Sequence, residues 1–318
     1  MNHVNRIVMP QLLHRALGVA LILTFVTSSY IPSPIRAQTP ERSFTVVRDL
    51  DSDGKATTKY DLYLPANAEM GKDYALIFFV HGGSFTGGDK HDGRGRGARY
   101  ASQGIIVSSA NYTLMTSLLS HASINSMVEE LYHTVDAVVQ ECNRRGLHVV
   151  EMATTGVSAG ATLAMLLAYR EPERLPVPVR FVFQQVGPVT FDPDLWGADD
   201  DDTRAALITL MSGRRISTEQ VGSKAYQDAI DSISPVAMVN ENTPPTIMAY
   251  APTDQFVPPR LKDLLIEKFK KYNLPYAFIN FPNSNHFLDD DPDKKVEYHL
   301  TTEEYIKKYF ILTHAKSK

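Results

Sequence analysis

The chain has 318 residues, 43% hydrophobic and 21% charged, which excludes collagen, coiled coil and wholesale disorder. Lys and Arg number 32 against 36 Asp and Glu, a net charge of −4. Without the first 37 residues, which hold Arg6, Arg15 and Arg36 and no acid, the balance is 29 against 36, and so acidic a body argues against a binder of nucleic-acid phosphates.

Residues 1–37 read as a secretory signal peptide. Arg6, His14 and Arg15 form a basic start, Ala16–Val26 is an apolar run of 11 residues, and Ala37 offers a small residue for cleavage. The apolar run is short for a bilayer, which asks for about 20 residues. The expectation is therefore a secreted or periplasmic protein beginning near Gln38, with an uncleaved membrane anchor as the alternative. Cys142 is the single cysteine, so neither an internal disulfide nor a Cys-rich metal site is possible. It falls on an apolar helical spacing and is expected to be buried and inert.

The body from residue 38 alternates between two periodicities. Ser43–Arg48 and Thr58–Leu64 alternate like half-buried strands, with Asp51–Gly54 as a turn between them. Tyr74–Val80 and Ile105–Ser109 are nearly continuous apolar runs, as expected of strands buried on both faces. From Ile124 to Cys142 apolar residues step by three and four, marking one helix face. Met152–Thr155 reads as a strand and Ala159–Tyr169 as a helix. Val179–Val186, Thr246–Tyr250 and Tyr276–Phe281 supply further strands; Leu261–Tyr272 and Thr302–Phe310 supply further helices. Strands alternating with helices imply a mostly parallel sheet covered on both faces. The Pro- and Asp-rich stretch Phe191–Ser234 is long for a connection and is expected to hold short helices, with Trp196, over the site.

Gly156-Val157-Ser158-Ala159-Gly160 stands where a strand gives way to a helix. A G-x-S-x-G there is a nucleophile elbow: small residues permit a strained turn that lifts the Ser158 hydroxyl above the sheet edge, and the N–H of Ala159 faces a developing oxyanion. His81-Gly82-Gly83 follows the buried strand Tyr74–Val80, and its glycines let backbone N–H groups approach a substrate oxygen. The same loop matches neither phosphate-binding glycine pattern. A serine needs a base, and the base needs an orienting carboxylate. Downstream of Ser158 only His286, His299 and His314 remain. His286 lies in the loop after the last strand, where ligand-facing groups belong; His299 and His314 read as surface residues. Asp254 follows the strand Thr246–Tyr250 and is the expected acid, while Asp289, Asp290, Asp291 and Asp293 read as a solvated acidic face. Asp49, Asp51, Asp53 and Gly54 match half of a calcium loop, but Tyr60 stands where the closing Glu belongs, and a hairpin turn is expected.

Together these residues resemble the α/β-hydrolase superfamily, and within it bacterial esterases and lipases: hormone-sensitive-lipase-like carboxylesterases and feruloyl- or acetylxylan-esterase-like enzymes. The likeness runs over about residues 43–312 and rests on YDLYLP at Tyr60–Pro65, HGGSFTGGD at His81–Asp89, the elbow GVSAG, the run from Ser234 to Pro258 and FPNSNHF at Phe281–Phe287. It implies an α/β-hydrolase fold: a mostly parallel eight-stranded sheet with helices on both faces and a small helical cap near 191–234. It also implies a Ser158–His286–Asp254 triad, an oxyanion hole from Gly82, Gly83 and Ala159, no cofactor or metal, and a small-molecule ester as substrate. A prolyl-oligopeptidase-type peptidase and a non-catalytic binding protein on the same scaffold are the alternatives.

Overall fold

The computed structural model describes residues 44–116 and 121–312. The expected signal segment and His314 lie outside them. The eight strands are β1 (Phe44–Asp51), β2 (Lys59–Pro65), β3 (Lys72–Val80), β4 (Ile106–Ala110), β5 (Leu147–Val157), β6 (Val179–Gln185), β7 (Thr246–Tyr250) and β8 (Tyr276–Asn280). They form one sheet in the order β1-β2-β4-β3-β5-β6-β7-β8. The β1/β2 and β2/β4 pairs are antiparallel and all others parallel. The helices among the described residues are α1 (Arg94–Ala101), α2 (Ile124–Arg144), α3 (Ala159–Tyr169), α4 (Asp201–Ser212), α5 (Lys224–Ile233), α6 (Pro235–Met238), α7 (Leu261–Lys271) and α8 (Pro292–Tyr309), with short 3-10 turns between.

Period-two alternation divides the strands between two cores. Leu76, Phe78 and Val80 of β3 face one side, where they meet Met127, Leu131 and Val135 of α2 and Leu163 and Leu166 of α3. Ala75 and Ile77 face the other, with Phe181, Phe183, Tyr100 of α1 and Tyr298 and Ile306 of α8. Leu261, Leu265 and Phe269 of α7 close the first side over Val182 and Met248. The long helix α2 starts where Ser123 and Ser126 cap one another's backbone N–H groups. Cys142 is buried on its inner face, and burial pushes the thiol up to about 12, consistent with an inert side chain.

Three elements differ from expectation. The Gly- and Arg-rich run Arg94–Ala101 folds as α1, because Tyr100 and Ala101 dock on the sheet and outweigh its weak propensity. The last helix starts at Pro292, ten residues before the predicted point, since proline suits the first turn. Residues 191–234 form helices as expected, but Ile208, Tyr226, Ala229 and Ile230 cluster among themselves and none of the segment lines the cavity described below. Trp196 is turned inward, its Nε1–H donating to the Thr190 carbonyl at 2.9 Å. In the 51–54 turn, Asp51 accepts from Gly54 N–H at 2.7 Å and Lys59 at 2.7 Å, and Lys55 pairs with Asp53.

The pairing register sets the functional edge. Val80 is opposite Gly156, Val157 opposite Gln185, Gln185 opposite Ala249, and Tyr250 opposite Asn280. The carboxyl ends of β3, β5, β6, β7 and β8 therefore finish level, and their loops share one rim.

Candidate active site

Ser158 caps α3 with φ 54° and ψ −125°, a backbone conformation that costs a non-glycine residue roughly 1–3 kcal/mol. The surroundings hold it there: Ser158 N–H donates to the Gln185 carbonyl at 2.9 Å, and its own carbonyl accepts from Ala161 and Thr162. The turn also needs close backbone approach. A Cβ on Gly160 would lie 2.2 Å from the Val80 carbonyl oxygen, so α3 seats against β3 only with glycine there.

His286 stands between the other two predicted residues. The Asp254 carboxylate can only accept, so His286 Nδ1–H donates to Asp254 Oδ2 at 2.8 Å. That leaves Nε2 as acceptor for the Ser158 hydroxyl at 3.0 Å. Asp254 is 7% exposed and His286 8%. The other oxygen of Asp254 accepts N–H bonds from Phe256 and Val257, both at 2.9 Å, which fixes the carboxylate plane. Thr253 Oγ1 donates to the Ser284 carbonyl at 2.6 Å and ties the acid loop to the histidine loop.

Gly82 and Gly83 lie beside the elbow. A Cβ on Gly82 would be 2.8 Å from the Val157 carbonyl oxygen and 3.5 Å from Ser158 Cβ. The N–H groups of Gly82 and Gly83 donate to no protein acceptor among the described residues. That of Ala159 opens α3, where the first N–H groups lack an intrahelical partner. The segment is pinned from behind: His81 stacks on Tyr112 with centroids 4.4 Å apart, its Nδ1–H donates to the Gly82 carbonyl at 2.7 Å, and Tyr112 donates to the His81 carbonyl at 3.0 Å. Burial lowers the pKa of His81, so it stays neutral in this structural role.

Of the acidic cluster, Asp289 and Asp290 are exposed as expected, and Asp293 joins the first turn of α8. Asp291 corrects the expectation. It is 6% exposed and accepts from Ser284 Oγ at 2.6 Å, Asn283 Nδ2 at 2.7 Å and Asn283 N–H at 3.0 Å. Burial resists its charge, yet the Ser284 and Asn283 bonds outweigh that and hold the carboxyl below its ordinary range. A run of four carboxylates hides such a member because sequence alone does not say which one α8 turns inward. His299 is also a correction: it is half-buried, burial lowers its pKa, and its Nδ1 is sealed without a partner.

Ser158 and His286 open into a cavity of about 810 Å³, a size that suits small organic ligands. Its apolar lining includes Met115, Val186, Phe256, Phe287 and Leu288, and Thr86, Asp92, Arg96 and Gln185 add polar groups. Phe256 meets His286 edge-on at 5.1 Å, and Phe287, 63% exposed, stands at the mouth. The place of Arg96 in this lining was not visible in the sequence, where no element is assigned to residues 94–101.

With this geometry in view, the family model BD-FAE matches residues 60–269, more than half of the chain. The chain belongs to the BD-FAE family. Its match spans the glycine loop, the elbow and the aspartate, and stops short of His286. No protein of curated function matches it. Solved structures share its α/β-hydrolase fold. A truncated carbohydrate esterase from gut microbiota is 17% identical, with a TM-score of 0.65 over 86% of this chain and all of that one. Esterase B from Lactobacillus rhamnosis, in an inhibited form, is 19% identical at 0.66, covering 84% of this chain and 88% of that one. Esterase 2 of Thermogutta terrifontis, phosphonylated by sarin, is 16% identical at 0.64, covering 86% and 96%.

Proposed function

We propose that this member of the BD-FAE family is a serine carboxylic-ester hydrolase that works through a Ser158–His286–Asp254 triad and an acyl-enzyme. The reading is carried by one observation: the hydroxyl of a strained elbow serine at 3.0 Å from an imidazole whose far nitrogen meets a buried carboxylate at 2.8 Å. The esterases that share the fold support it.

In this scheme Ser158 Oγ attacks the ester carbonyl as its proton passes to His286 Nε2. Asp254 keeps the imidazole in the tautomer that can accept this proton and stabilises the imidazolium that results. The N–H groups of Gly82, Gly83 and Ala159 take the oxyanion of the tetrahedral intermediate, an arrangement in which each donor is commonly worth about 3–4 kcal/mol. Collapse breaks the bond to the leaving oxygen, which receives the proton from His286. Water then enters, gives its proton to His286 and attacks the acyl carbonyl, and Ser158 leaves with that proton. Apolar groups around Phe256 and Phe287 suit an acyl or aryl part.

The test is labelling with a fluorophosphonate, followed by turnover of a panel of acyl chain lengths, feruloyl esters and acetylated sugars. Labelling at Ser158 together with ester turnover is the expected result. A folded protein that neither labels nor turns over any ester would instead be a binding protein on a hydrolase scaffold. We also propose export, which amino-terminal sequencing of native material checks by finding a start near Gln38.

A further inference from the structure

Arg96 stands out among the cavity residues. Its Nη2 donates to the side-chain oxygen of Gln185, and its guanidinium lies 4.8 Å from the centroid of the Phe79 ring. Its neighbours Arg99 and Lys90 are paired with Glu303 and Asp49, whereas Arg96 has no ion pair among the described residues. Arginine carries five donors in a planar fork, and only one is used by protein here. The other nitrogens of Arg96 are neither bonded nor sealed from solvent.

The placement of this cation is fixed by the elbow. Gln185 is the register partner of Val157, and its carbonyl accepts from Ser158 N–H at 2.9 Å. Register partners on neighbouring strands present their side chains to the same face, and both Val157 and Gln185 line the cavity. Gln185 thus braces Arg96 one strand away from the nucleophile, while the Phe79 ring supports the guanidinium from below. Held by an amide and an aromatic face rather than a carboxylate, the fork keeps its charge unneutralised and its geometry preset for a planar anion. Asp92, exposed and lining the same cavity, forms no ion pair with Arg96 among the described residues.

We propose that Arg96, braced by Gln185 and Phe79, is an anion subsite of the catalytic cavity, selecting esters that carry a second group, a carboxylate, on their acyl or alcohol part. The inference rests on the ester-hydrolase reading of Ser158 and deepens it.

Two matched pairs distinguish the arms. For the acyl arm, the para-nitrophenyl monoester of adipic acid is compared with the same ester amidated at its free end. For the alcohol arm, the butyryl ester of para-hydroxybenzoate is compared with that of para-hydroxybenzamide. The ratio of kcat/KM, anionic over neutral, is measured at low salt. On one arm the wild-type ratio is expected to be about 10 or more and to decline with added salt. Arg96→Gln lowers that ratio by about 10- to 100-fold, the range for charge-assisted hydrogen bonds. Arg96→Lys, which keeps the charge, retains part of it. Asp92→Asn moves the ratio up by a few-fold, a sign that a general loss of packing does not produce.

The same esters are titrated calorimetrically into Ser158→Ala, with and without Arg96→Gln. This separates the two claims: if wild type hydrolyses nothing but the binding ratio still depends on Arg96, the hydrolase reading fails and the subsite stands. A wild-type ratio near one on both arms, in turnover and in binding, overturns the proposal. So does a ratio that Arg96→Gln leaves unmoved.

Discussion

Ser284 Oγ donates to Asp291 Oδ2 at 2.6 Å, and so closes the loop that carries His286. The same carboxylate accepts from both the backbone and the side chain of Asn283, so one buried group holds the start of the loop to its end. His286 lies between these anchors, and the direction of its imidazole depends on them.

Asp291→Ala should therefore act through His286. Three hydrogen bonds to a buried carboxylate are lost, and three donors, two on Asn283 and one on Ser284, lose their acceptor. A fall of about 10-fold or more in kcat is expected with a smaller change in KM, since Asp291 acts on the direction of His286 and does not itself line the cavity. Asp291→Asn, which keeps the shape, should recover part of it. Steady-state kinetics on a para-nitrophenyl ester give the answer; equal losses in kcat and KM for both variants would point to a general structural role.

The depressed pKa of Asp291 fixes the sign of a pH effect. A carboxyl whose folded pKa lies below its unfolded value of about 3.9 stabilises fully above that value and loses its contribution as pH falls through the folded one. The difference in melting temperature between wild type and Asp291→Asn should thus be steady from about pH 6 to 5 and shrink below about pH 4. A difference that grows on acidification contradicts the assignment.

Ser158→Ala should remove ester turnover by about 10⁴–10⁶ without unfolding the protein, because the hydroxyl stands at the rim and not in the core. Purified, folded Ser158→Ala with near-wild-type rates rules out the proposed nucleophile.

Asp254→Asn should lower kcat by about 10⁴, since an amide at this place favours the wrong imidazole tautomer. Asp289→Asn and Asp290→Asn, at exposed positions, should change kcat by less than about twofold. The comparison is made at saturating ester, with circular dichroism to exclude misfolding.

Gly160→Ala should unfold or strongly destabilise the chain. Its Cβ would stand 2.2 Å from the Val80 carbonyl oxygen and 2.3 Å from that of His81, both rigid backbone. A loss of about 3 kcal/mol or more in urea unfolding is expected, and a loss below about 1 kcal/mol would show that α3 can shift away from β3.

Much of this was legible along the chain. β7 and α3 begin and end where period and apolar runs placed them, because each is buried on all sides and its sequence is correspondingly uninterrupted. The elbow was readable because its chemistry needs small residues at fixed spacing around one serine. α1 was not, since two glycines in eight residues lower its intrinsic helicity, its arginines interrupt any apolar period, and docking of Tyr100 and Ala101 on the sheet stabilises it. The inward turn of Asp291 was equally hidden among exposed neighbours of the same type.

The sequence by itself determined the alternation of strands and helices, the strained serine and the order serine, aspartate, histidine. These are properties of local spacing and of chain order, and local sterics suffice to express them. Only the tertiary structure decided which side chains meet: His286 Nε2 at Ser158, Arg96 on Gln185, Asp291 across its loop. Those contacts join residues that are distant in the chain or face opposite ways within a loop. They depend on strand register and on which helix face docks, and these are set by burial of the whole sheet at once.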